Sequence, residues 1–87
     1  MAYITPQKIT DPMPRHCFEH DRQWINDRLN YCGSIQERLK VCEAYSKVYS
    51  ATLEAEPTEH RQVNAARKAA NTRLREYIAK KFRVFNK

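Results

Sequence analysis

Glycine is almost missing from this sequence, Gly33 being the only one in 87 residues. A sheet with many tight turns is therefore excluded, because hairpin turns call on residues that accept positive φ. The same scarcity removes every glycine-rich phosphate cradle, so neither a P-loop nor a dinucleotide fingerprint is present. No stretch approaches the roughly 18 to 20 apolar residues of a membrane span. Met1 to Pro14 has no basic stretch followed by an apolar core, so no secretory signal is expected. Cys17, Cys32 and Cys42 are odd in number and not closely spaced. Reduced thiols in a cytoplasm are expected from them, rather than a disulfide framework. Acids are scarce in one place only. From Thr58 to Lys87 nine Lys/Arg face two acids, Glu59 and Glu76, a local charge of +7. The remainder carries −1, which accounts for the net +6 of the chain.

What is present reads as helix. A chain this short forms one domain with a modest core. Residues 1–13 are expected to be an extended arm, with Tyr3 and Ile4 favouring extended backbone and Pro6 holding Thr5 away from helix. Asp11-Pro12 has the form of a helix start, an acceptor at the N-cap followed by proline at the first helical position. A first helix is expected over about 14–32. Its stripe is Phe18, Ile25, Leu29 and Cys32, and Gly33 stands where a left-handed C-cap belongs. A second helix, about 34–56, opens with Ser34-Ile35-Gln36-Glu37, a capping box. Its stripe of Ile35, Leu39, Cys42, Ser46, Tyr49 and Leu53 steps alternately by four and three, and Val41, Tyr45 and Val48 widen it. An apolar arc this broad predicts that the second helix is the middle of the structure. Lys40, Glu43, Lys47 and Glu54 form a solvated face of mixed sign.

Pro57 ends that helix, with a kinked continuous helix as the alternative. A third helix, about 58–83, buries Val63, Ala66, Ala70, Leu74, Tyr77 and Ile78. Arg61, Lys68 and Arg75 recur every seven residues on its outer side. Arg73 and Lys80 lie on one flank, Arg83 falls further round towards the outer face, and Arg67 and Lys81 lie nearer the apolar stripe, where they must snorkel or meet a partner. The expected fold is all-α, a small antiparallel three-helix arrangement with an extended N-terminal arm.

The segregated charge is the functional signal. A row of bases on one helix is an electrostatic footprint for a polyanion or an acidic protein surface. Arg61, Arg67, Lys68, Arg73, Arg75, Lys80, Lys81 and Arg83 are the candidate binding residues. Asn64, Asn71 and Asn86 add amides for phosphate or base contacts. Tyr3, Ile4, Trp24, Phe82 and Phe85 are candidate apolar anchors, Trp24 being the single tryptophan. His16 and His20 at i, i+4 on a helix have a chelating spacing, but no further ligand is spaced to complete a metal site. No acid, base and nucleophile converge, so neither catalysis nor a cofactor is expected.

The run Glu59-His60-Arg61-Gln62-Val63-Asn64-Ala65-Ala66-Arg67-Lys68-Ala69-Ala70-Asn71-Thr72-Arg73-Leu74-Arg75-Glu76 resembles short helical proteins encoded by temperate phages and prophages of enterobacteria. That resemblance covers the third helix, and it implies an accessory protein that binds a host enzyme or complex without catalysis of its own. The expected function is an accessory or inhibitory protein docking on a host macromolecular complex with an acidic surface, one that handles nucleic acid. Direct nucleic-acid binding by the third helix is the alternative.

Overall fold

The structure, a computed structural model, describes residues 10–85, and the side chains of residues 10–82. The expectations for the arm residues Tyr3 and Ile4, for the Arg83 and Phe85 side chains and for Asn86 lie outside the described residues. A 3-10 turn, Glu19–Asp21, leads into helix α1, Arg22–Leu29. Helix α2 is Ile35–Ala55 and helix α3 is Glu59–Phe85. Among the described residues no strand occurs and no helix is long and apolar enough to cross a membrane.

Side-chain pairs give the topology. Glu37 meets Lys81, and Tyr45 meets Asn71, so α2 and α3 are antiparallel. Asp21 meets Arg67, and Tyr31 packs edge-on against Phe82 at 4.9 Å, so α1 runs parallel to α3. The order is up-down-up, as expected of short connections. The core is Ile25 and Leu29 of α1, Cys42, Tyr45 and Tyr49 of α2, and Ala66, Ala70, Leu74 and Ile78 of α3. Ala66 and Ala70 are fully buried. With no bulk beyond Cβ, they bring the two long helices close together. The break at Pro57 is complete: Glu56 is extended (φ −77°, ψ 115°) and its carboxylate accepts from the Thr58 N–H at 3.1 Å. The kinked continuous helix is thereby excluded.

The capping box forms in altered shape. Ser34 Oγ accepts from the Glu37 N–H at 3.1 Å, while Glu37 Oε1 reaches back to the Gly33 N–H at 2.6 Å, one residue earlier than a capping box places it. Glu37 is drawn there because its other contacts come from α3.

Several expectations are corrected. The first helix does not begin at Pro14. Residues 11–18 are irregular because they are pinned along α2, where the Pro12 carbonyl accepts from Arg38 Nε at 2.7 Å and from Cys42 Sγ at 3.6 Å. The His16 N–H donates to Ser46 Oγ at 3.3 Å. Pro12 and Pro14 also hold Asp11 and Met13 away from the helical region. His16 and His20 therefore do not share a helix face, and Phe18 stands before the 3-10 turn in extended backbone. Gly33 is not left-handed, since no described residue has positive φ. A Cβ there would make ordinary contacts with Glu37 and Lys81. The α2 stripe is shifted round: Ile35 and Leu39 are about half exposed, whereas Arg38 and Tyr45 are buried. Finally, α3 shares the central place expected of α2. Its backbone lies closer to α1 than that of α2 does, while Arg38 of α2 reaches across to Asn26 and Asn30.

Candidate docking surface

Helix α3 carries the bases, and the tertiary structure sorts them into two groups. Arg67 and Lys81 point inward and are consumed. Arg67 makes a two-pronged pair with Asp21 (2.8 and 2.9 Å) and lies 4.3 Å over the Phe18 ring. Asn71 also donates to Asp21, at 3.2 Å, and accepts from the buried Tyr45 hydroxyl. This amide is therefore committed to the fold, contrary to its expected role as a contact for phosphate or bases. Lys81 Nζ bridges both Glu37 oxygens at 2.5 and 2.7 Å, and Tyr77 donates to the same carboxylate. These two clusters lock α3 to the rest of the chain at points fourteen residues apart.

The second group is exposed. Arg61, Lys68, Arg73, Arg75 and Lys80 all face solvent, and none is ion-paired among the described residues. They span about 29 Å of helix at 1.5 Å per residue. Arg61, Lys68 and Arg75 form one row, and Arg73 and Lys80 lie about 120° round the helix from it, on the flank that faces the α2–α3 groove. Arg75 extends over the Trp24 ring at 5.7 Å, and Arg28 approaches the same ring at 5.3 Å. Trp24 is thus partly buried against the core rather than presented as a bare anchor. Phe82 is 43% exposed, which keeps it available as an apolar contact at the end of the basic rows. Asn64 is exposed on the same outer side.

The electrostatics of the locking clusters are directional. The Arg67 hydrogen bonds hold Asp21 below the usual carboxylate range. Lys81, then Tyr77 and the Gly33 N–H, pull Glu37 down to about 2, and the bond to Glu37 pushes Tyr77 up to about 12. Because both folded carboxyls are depressed, their contribution is fully present above the unfolded pKa of about 4 and is lost as pH falls through the folded values. The urea midpoint is therefore expected to fall between about pH 4 and 2, and Glu37→Gln should flatten that slope. An unchanged slope in the variant would show that Glu37 does not carry it. Burial pushes all three thiols up, which leaves them poor nucleophiles. No group of three His, Cys, Asp or Glu among the described residues is placed to hold a metal ion.

The fold and surface define a class: a small all-α protein, three helices in up-down-up order, with five exposed bases along its longest helix. No family model, no curated protein and no solved structure matches the chain significantly.

The charge segregation that marks α3 was readable in the sequence, as was the nearness of Arg67 and Lys81 to the apolar stripe. Their partners, Asp21 and Glu37, were not, since they lie 46 and 44 residues away. Also missed was an open groove of about 490 Å³ between α2 and α3 on the side away from α1. Its only sequence signal was the widening of the α2 stripe by Val41, Tyr45 and Val48.

Proposed function

We propose that this is a non-catalytic docking protein of the phage accessory type, which presents the exposed bases of α3 to an acidic surface on a host complex that handles nucleic acid. The observation that carries the reading is the sorting of charge. Arg67 and Lys81 satisfy internal carboxylates, while five further bases stand exposed along one rigid helix. Fixed positive rows of this kind steer association with an acidic partner and hold its register. Their placement on a helix clamped at two points reduces the entropy lost on docking. An apolar groove beside the Arg73/Lys80 row favours a protein over a nucleic-acid partner, because a phosphate backbone offers nothing to fill it.

Direct nucleic-acid binding has one observation on its side: the exposed bases are spread along about 29 Å of one helix, a length on which several phosphates are reachable. The test separates the two. The triple variant Arg61→Gln, Lys68→Gln, Arg75→Gln is expected to weaken capture of the host partner about tenfold, roughly 1.4 kcal/mol, from nuclease-treated lysate. Anisotropy with duplex and single-stranded oligonucleotides at low salt should show no affinity that responds to the triple substitution. Oligonucleotide binding that weakens steeply with salt and is lost in the variant would replace the protein reading with the nucleic-acid one. Capture that is unchanged in the variant would remove α3 from the interface.

A further inference from the structure

Among the described residues none covers the face of the α2–α3 hairpin turned away from α1, and the shape of that face specifies an occupant. Val41, Tyr45 and Val48 of α2 and Leu74 and Tyr77 of α3 line an open groove of about 490 Å³, and none of its lining residues comes from α1. The groove continues past Val48, Arg73 and Glu76 into a shallower depression at Ala65, Ala69 and Thr72. Ala65 to Lys80 covers about 22 Å of α3 at 1.5 Å per residue, the length of a helix of about 15 residues. A trough between two helices receives the side-chain ridge of a third, and Ala44, Ala65 and Ala69 allow that helix to come close.

The rim fixes the sign of the occupant. Lys40 stands on the α2 side, with Lys68, Arg73 and Lys80 on the α3 side. Of the acids there, Glu37 already holds Lys81 and Tyr77, which leaves Glu76. We infer that the groove seats an amphipathic helix of a partner protein, about four turns long, with apolar residues at i, i+3/i+4 and i+7 and carboxylates along both flanks. A second copy of this chain is the wrong occupant, because it would bring another net +6 to a basic rim. The inference rests on the docking reading above only for the acidity of the partner.

The test uses the whole protein and a defined probe. A 15-residue helical peptide with leucine on one face and glutamate on both flanks is titrated by calorimetry, alongside an isomer of the same composition with its leucines scattered. The first peptide is expected to bind saturably and the isomer at least about tenfold more weakly. Ala44 lines the groove and is exposed, so Ala44→Trp fills the trough without disturbing the core. That variant should weaken the first peptide about tenfold, while Lys47→Gln, an exposed base outside the groove, should change it less than about twofold. Unaltered circular dichroism of each variant shows that the fold is kept. Equal binding of the two peptides, equal binding to Ala44→Trp or the absence of saturable binding would overturn the groove assignment. In none of these cases is the basic-row reading touched, since it is decided by the Gln variants against the host partner. A dimer of the native protein in sedimentation, abolished by Ala44→Trp, would assign the groove to a second copy instead.

Discussion

Arg38→Ala is expected to destabilise the protein by about 3 kcal/mol and to lower its melting temperature by about 15 °C. Arg38 is 4% exposed. Its Nε donates to the Pro12 carbonyl at 2.7 Å, Nη1 to Asn30 Oδ1 at 3.0 Å and Nη2 to Asn26 Oδ1 at 2.8 Å. All three acceptors are neutral, so the charge is held by hydrogen bonds rather than by a carboxylate. Burying it has a desolvation cost that these bonds offset. Alanine removes the donors, leaves three oxygens without them and opens a cavity at the junction of the N-terminal segment, α1 and α2. Domains of this size are stable by roughly 4–13 kcal/mol, so the loss is a large share of the total. Arg38→Lys keeps the charge but not the planar fork, and should fall between alanine and the native residue. Urea and thermal unfolding followed by circular dichroism decide the matter. A drop in melting temperature below about 4 °C for alanine would mean that the burial cost cancels the bonds.

Leu29→Ala is expected to cost a similar amount, about 3 kcal/mol, by a different route. Ile25 and Leu29 are the largest fully buried side chains among the described residues, and both belong to α1. That helix has 8 residues, too few to persist without packing. Removing Leu29 takes away half of its anchorage and leaves a cavity that the clamped α2–α3 pair cannot close. Trp24, the sole tryptophan, sits on α1 against Arg28 and Arg75 and reports the event directly. Its emission should shift to the red at lower urea than in the native protein. Helicity should fall little at first, because α2 and α3 contribute 21 and 27 residues. The double variant Arg38→Ala, Leu29→Ala should be less destabilised than the two single losses together. Both residues fasten the same N-terminal piece to the hairpin, and a piece already released has no second anchorage to lose. Full additivity would show that Arg38 and Leu29 hold separate units.

Local chemistry made much of the fold legible. Ser34 caps α2 because a hydroxyl beside a helix start has N–H donors waiting for it. Pro57 ends α2 because it cannot continue the hydrogen-bond ladder. Of the stripe expected on α3, Ala66, Ala70, Leu74 and Ile78 are buried because a four-residue step keeps one face of a helix, whereas Val63 and Tyr77, on its edges, are exposed. The errors arose where a distant group outbid the local preference. Asp11-Pro12 is a sound helix start in isolation, yet the Pro12 carbonyl is claimed by Arg38, 26 residues on. Gly33 has the freedom to be left-handed and does not use it, since its N–H is taken by Glu37. Arg38 interrupts no pattern, and nothing in the string shows that two asparagine side chains and a carbonyl converge on it.

The same division holds for the candidate site. The sequence by itself determined that the chain is helical, that its positive charge is gathered on the last helix, and that Arg67 and Lys81 lie near the apolar stripe. These follow from composition and a 3.6-residue period, which act within one helix. Only the tertiary structure decided which carboxylates, Asp21 and Glu37, take those two bases, and so which five remain exposed. It alone decided that α1 covers one side of the hairpin and leaves the other as a groove. Both outcomes depend on how helices distant in sequence cross, and a periodic pattern states which face is apolar without stating what meets it.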